Sequence, residues 1–138
     1  MRSILYSYIM LTLATVFMFP LLSCAEELNN EVYLLIKNNK LLAFSGLQNN
    51  WSEKDLRTGE TVVKSEYDGN VAVAYTQDRA LAFSGLTGRW SEKRFRINET
   101  VESIRTQGNV GTIITNIRAL AFSARSGVWV ETVFDIHD

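Results

Sequence analysis

RALAFSGLTGRWSEK, Arg79 to Lys93, is the stretch that decides the fold, because the chain carries it three times. KLLAFSGLQNNWSEK runs from Lys40 to Lys54, and RALAFSARSGVWVET runs from Arg118 to Thr132. The interval from Lys40 to Arg79 equals that from Arg79 to Arg118, so the three copies keep one period. A fixed period of this size marks a repeat architecture, in which each unit is one supersecondary element that buries its apolar faces only against its neighbours. The repeat fills nearly all of the chain after residue 24.

Within the middle unit, four short runs rich in β-formers alternate with turn residues. VAVAYT (Val71 to Thr76) is followed by Gln77-Asp78, and Arg79 to Ser84 by Gly85-Leu86-Thr87-Gly88. Trp90 to Arg96 is followed by Ile97-Asn98-Glu99, and Thr100 to Thr106 by Gly108-Asn109. Gaps this short predict hairpins, so each unit reads as a four-stranded antiparallel meander, strands a to d. Strand a recurs at Val32 to Lys37 and Val110 to Thr115.

The faces of these strands carry the next step. Strand a sets Val71, Val73 and Tyr75 against Ala72 and Ala74; strand b sets Leu81, Phe83 and Gly85 against Ala80, Ala82 and Ser84. Neither alternates with charge, as a strand with one wet face would. One face of large and one of small residues implies cover on both sides, the large face of one unit meeting the small face of the next. Strands c and d (SEKRFR and TVESIRT) are mostly polar. The expected sheet therefore grades from a buried inner edge at strand a to a wet outer edge at strand d, as stacked propeller blades do. The fold class expected is all-β. It comprises three four-stranded antiparallel propeller-like blades, at about 28–67, 68–106 and 107–138, the last lacking its outer strand. A β-trefoil is the alternative.

ALAFSGLTGRWSEKRF, Ala80 to Phe95, resembles the strand–turn–Trp segment of kelch repeats. It is also similar to the repeat of quinoprotein-type propellers, where a Thr-Gly turn precedes a tryptophan. The residues that carry the likeness are Leu42 to Ser45, Leu81 to Ser84 and Leu120 to Ser123, with Trp51, Trp90 and Trp129. Kelch units carry a Gly-Gly pair after an inner strand; this chain has Thr76-Gln77 there. The resemblance implies a β-propeller and brings no catalytic residue or cofactor with it.

Closed propellers have four to eight blades, so three leave two open apolar faces. Two copies would close a six-bladed ring about a C₂ axis. A homodimer, or another envelope protein on the open faces, is the partner expected.

The N-terminus reads as an address. Arg2 is followed by an apolar run from Ile4 to Leu22 and then by Ser23-Cys24-Ala25, the outline of a secretory signal over residues 1–24. Leu21-Leu22-Ser23-Cys24 resembles a bacterial lipobox, which makes Cys24 the lipid-attachment residue. Cleavage after Ala25 and an uncleaved anchor are the alternatives. Each predicts export to the cell envelope or periplasm, lipid-anchored or secreted, with the membrane met only through the N-terminal lipid or signal. The repeat domain is then 25–138, without a second cysteine for a disulfide.

Composition narrows the chemistry. The chain has 138 residues, 46% hydrophobic and 21% charged, as in ordinary folded domains. A net charge of −1 offers no basic field for nucleic acid. His137 is the one histidine and Cys24 the one cysteine, too few for a zinc site or a histidine-based triad. No enzyme activity, metal or cofactor is therefore expected. The residues that recur once per unit are the candidate ligand contacts: Trp51, Trp90 and Trp129 as aromatic platforms, and Lys40, Arg79 and Arg118 as a ring of cations. Their structural alternatives are packing for the tryptophans and charged turn residues on a wet surface for the cations. Glu53, Glu92 and Glu131 recur too and read as solvated strand charges, a symmetric set being ill suited to asymmetric acid–base work. The function expected is a non-catalytic binding or scaffolding module of the cell envelope, the alternative a carbohydrate-binding lectin with one site per blade.

Overall fold

The computed structural model describes residues 30–135; the signal-like segment, the lipobox-like Cys24 and His137 lie outside the described residues. Eleven strands and no helix occur among the described residues. They are β1 (Val32–Lys37), β2 (Lys40–Ser45), β3 (Asn50–Asp55), β4 (Lys64–Asp68), β5 (Val71–Tyr75), β6 (Arg79–Ser84), β7 (Arg89–Arg94), β8 (Val101–Gln107), β9 (Val110–Thr115), β10 (Arg118–Ser123) and β11 (Trp129–Val133). They form three separate antiparallel sheets, β1-β2-β3, β4-β5-β6-β7 and β8-β9-β10-β11. The sheets stack face to face in series, as propeller blades do. Strands of different sheets do not merge into one barrel, which removes the trefoil alternative.

The blade boundaries differ from those expected. Strand d of each unit belongs to the next sheet, not to its own. Gly69-Asn70 joins β4 to β5 and Gly108-Asn109 joins β8 to β9, and a two-residue link of this kind closes a hairpin. The links from β3 to β4 and from β7 to β8 are longer and carry the chain across to the neighbouring sheet. The sheet expected to lack a strand, the last, has all four; the first has three among the described residues. The gradient changes as well. The sheets draw together at β4 and β8 and diverge at β3, β7 and β11, so polar strands occupy both edges and burial peaks in the middle pair.

Register also redistributes large and small side chains. Ala72 pairs with Phe83 and Ala74 with Leu81 on one face; Val73 pairs with Ala82 and Tyr75 with Ala80 on the other. Each face is thus mixed, large residues of one strand lying beside small ones of the next, rather than one large and one small. Both faces are covered. Val32, Leu34, Leu41 and Ala43 of the first sheet pack on Ala72, Ala74, Leu81 and Phe83. Val71, Val73, Ala80 and Ala82 pack on Ile113, Leu120 and Phe122 of the third sheet. Strands β5 and β6 are accordingly buried almost throughout. Burying each valine, leucine, isoleucine or phenylalanine of this set contributes about 1.5–3 kcal/mol, and each alanine less, against the entropy of ordering them.

The hairpin links also stack on one another. The Glu31 N–H donates to the Gly69 carbonyl at 2.8 Å, and the Asn70 N–H to the Gly108 carbonyl at 2.9 Å. Gly69 has φ +52, and a Cβ there would run into the Gly108 backbone. Gly59 has φ +78 with open space around it, and Asn98 fills the matching turn at φ 62. Gly69→Ala should therefore cost about 2 kcal/mol in urea unfolding, since a strained φ and a backbone collision add. Gly59→Asn should be nearly neutral; a large loss there would contradict this account of the two turns.

Candidate functional site

The residues that recur once per unit converge on the links between sheets. The link after β3 turns at Arg57-Thr58-Gly59-Glu60: the Glu60 N–H donates to the Arg57 carbonyl at 2.9 Å, and Glu60 Oε2 accepts the Arg57 N–H at 2.7 Å. This folds the carboxylate back over its own turn and into the second sheet. There Arg79, at the start of β6, meets it side-on: Nε donates to Oε1 and Nη2 to Oε2, both at 2.8 Å. The Thr76 hydroxyl donates to Oε1 at 2.7 Å, Arg79 Nη2 also reaches the Asp55 carbonyl of the first sheet at 3.2 Å, and Nη1 is held by Glu92. Arg79 and Glu60 are each 3% exposed. Two planar charged groups sharing parallel hydrogen bonds out of water make a strong and directional clamp.

The same clamp recurs one period further along the chain. Arg118 donates from Nε to Glu99 Oε1 at 2.7 Å and from Nη2 to Oε2 at 2.8 Å, with Thr115 on Oε1 at 2.9 Å. Nη2 also reaches the Arg94 carbonyl at 2.8 Å, and Nη1 meets Glu131. Lys54 of the first sheet meets Glu92 of the second at 2.9 Å, and Lys93 of the second meets Glu131 of the third at 3.1 Å. Each inter-sheet seam therefore closes on an alternating set of cations and carboxylates.

These contacts correct the reading of the cations. Arg79 and Arg118 are buried, not charged turn residues on a wet surface, and their donors already have partners inside the fold. Lys40 differs. It sits at the matching position of the first sheet, is half-buried with its side chain 43% exposed, and pairs with Glu53 at 2.7 Å and Asp55 at 3.5 Å. Glu92 and Glu131 are seam partners rather than simply solvated charges. Glu60 and Glu99 escaped the sequence reading. Their signal was the interval from Glu60 to Arg79, which is repeated from Glu99 to Arg118.

The tryptophans divide in the same way. Trp90 lies against Phe83, ring centroids 5.3 Å apart, and its indole N–H points to the Ser52 carbonyl of the first sheet at 3.4 Å. Trp129 packs on Phe122 at 5.4 Å. Both are seam packing. Trp51 packs on Phe44 at 5.4 Å but has no preceding sheet among the described residues and is 51% exposed. Tyr33 completes the row, edge-on to Trp51 at 6.4 Å and to Tyr67 at 5.6 Å. An aromatic row thus lies open on the outward face of the first sheet. Among the described residues, no three His, Cys, Asp or Glu side chains converge as metal ligands would.

No family model and no curated relative matches the chain. Among solved structures, it is similar to the N-terminal domain of Nup159, at 10% identity and a TM-score of 0.41, over 74% of this chain and 30% of that one. A chain of an S. cerevisiae complex of Dbp5 with Nup159, Gle1, IP6 and ADP gives 10% identity and 0.41 over 75% of this chain and 31% of that one. The chain spans about a third of the length of each.

The clamp has measurable consequences. The Arg79 guanidinium bonded to Glu60 holds its carboxyl down to about 2, against 4.5 for a free glutamate. At Glu99 burial is the largest single influence and pushes upward, but the Arg118 guanidinium, the Arg96 N–H and the Thr115 hydroxyl together outweigh it and the net shift is down. A carboxylate with a depressed folded pKa contributes stability that is complete above its unfolded pKa. That contribution is lost as pH falls from about 4.5 toward about 2. Glu60→Ala, which strands a buried arginine, should cost about 3 kcal/mol at pH 7 and flatten the acid limb. Arg79→Lys should not restore stability, because an ammonium cannot make the paired contacts. Lys40→Ala should leave the melting temperature nearly unchanged, as an exposed pair contributes little. Equal losses for Glu60→Ala and Lys40→Ala would contradict the assignment.

Proposed function

We propose that the chain is a non-catalytic binding or scaffolding module of the cell envelope, working through the faces of its propeller-like sheets. One observation carries this reading: the outward face of the first sheet is apolar and uncovered among the described residues. Tyr33, Leu35 and Trp51 are exposed there, with Leu42 and Phe44 half-buried between them. A contiguous apolar patch on a folded domain marks an interaction surface. The placement in the envelope comes from the apolar N-terminal run and the lipobox-like Leu21-Leu22-Ser23-Cys24, with Cys24 as the anchor. Arg79, Arg118, Glu92 and Glu131 are engaged in holding sheets together, and Lys40 pairs with Glu53 within the first sheet, which leaves the faces, not the charges, to meet a partner.

A carbohydrate-binding reading rests on the same face, because the row Tyr33, Phe44 and Trp51 offers aromatic planes on which a sugar ring could stack. It differs from one site per blade, since Trp90 and Trp129 are packed into seams.

The test is photo-crosslinking in cells, with the reactive side chain at Leu35 or Phe44 and a control at Ile97, a turn residue 93% exposed. A discrete protein adduct from positions 35 and 44 and none from 97 is expected. No protein adduct, together with glycan-array binding that Trp51→Ala abolishes, would overturn this reading in favour of the sugar-binding one.

A further inference from the structure

We infer that the partner of the open face is a second copy of this chain, the third sheet of one copy seating on the first sheet of the other. This rests on the reading above that the sheet faces are binding surfaces.

The faces uncovered among the described residues are the two halves of one interface that the fold already makes twice. In one internal seam Val32, Leu34, Leu41 and Ala43 meet a face carrying Leu81 and Phe83; in the other, Val71, Val73, Ala80 and Ala82 meet a face carrying Leu120 and Phe122. The uncovered face of the third sheet carries Val110, Thr112, Ile114, Ala119 and Ala121, each one period after Val71, Val73, Tyr75, Ala80 and Ala82. The uncovered face of the first sheet carries Leu35, Leu42 and Phe44, each one period before Ala74, Leu81 and Phe83. Both halves are partly open: Val110 is 45% and Leu35 38% exposed.

Polar partners follow the same correspondence. The Ser45 hydroxyl donates to the Gly85 carbonyl and the Ser84 hydroxyl to the Ala124 carbonyl, each at 2.6 Å across a seam. Ser123 is next in that series, and the carbonyl that would receive its proton is that of Gly46 in a second copy. Lys40 stands where Arg79 and Arg118 stand, with Glu53 beside it but no turn carboxylate from a preceding sheet among the described residues. The first sheet thus begins a seam that only a preceding sheet completes.

One position departs from the pattern. A Cβ at Gly111 would run into Val73 Cγ2, so positions 111 and 73 face each other at close range. The equivalent pair between copies is Tyr33 and Thr112. Tyr33 stands where the internal seams have Ala72 and Gly111, so it is overlarge for a copy of those seams. The contact is therefore weaker than an internal seam, and trimming Tyr33 should tighten it. Two copies joined at both ends place their sheets in one closed ring; a single contact per pair propagates head to tail.

The experiment uses the full chain in the envelope, with Tyr33→Cys and Thr112→Cys introduced singly and together. Oxidation should give a species of twice the mass only when both cysteines are present. Light scattering should then show Tyr33→Ala associating about tenfold more tightly than the parent. A monomer throughout, or weaker association in Tyr33→Ala, would overturn the proposal. If positions 35 and 44 then still crosslink to a different protein, the face remains a binding surface and only the second copy is wrong. If they crosslink to nothing, both readings fall.

Discussion

A sheet that is apolar on both faces has to be covered on both, and the rest of this structure depends on that constraint. β5 and β6 offer water almost nothing, so the second sheet can exist only between two others. Register sets the form of the covering. A small residue lies beside each large one across the β5–β6 pair, giving each face ridges and hollows that take the next sheet's side chains. Gly111 is the limiting case, where the neighbouring Val73 leaves no room for a side chain.

Apolar contact alone leaves neighbouring sheets free to slide, and the polar groups act against that. The hairpin links hydrogen-bond to one another at one end of the stack, and the Arg–Glu clamps fix the crossing links. Buried ion pairs are not efficient stabilisers, because desolvation offsets much of their attraction. Their geometry is nonetheless strict, so they select a single seating of each sheet on the next. The repeated serine hydroxyls serve the same end. The proposed binding falls to what this arrangement leaves over: the terminal faces carry seam chemistry with no sheet against them among the described residues.

Much of the architecture could be read from one stretch. The period, the all-β content, the strand positions to within a residue or two and the two-sided burial of the middle strands follow from residue pattern alone, because alternation and turn residues are local signals. The assignment of strand d was misread, although its signal was present in Gly69-Asn70 and Gly108-Asn109. Repeat boundaries drawn from similarity need not coincide with sheet boundaries drawn from hydrogen bonds. The pairing of large with small residues was not legible, since cross-strand register sets it. Of the recurring residues, Arg79 and Arg118 were found but placed in water. A charged residue enters the interior only when its partner does, and the partners are less visible in sequence: Glu99 reads as part of a turn, and nothing local marks Glu60. Trp51 was grouped with Trp90 and Trp129, which holds in sequence but fails in environment, because the first sheet lacks a neighbour on that side among the described residues.

If the stack is organised about its doubly covered second sheet, native-state amide hydrogen exchange should show it residue by residue. The slowest exchange is expected in β5 and β6, opening only with global unfolding, and faster exchange in β3 and β11 at the diverging edges. Slowest exchange in β3 or β11, with β5 and β6 opening first, would contradict that organisation.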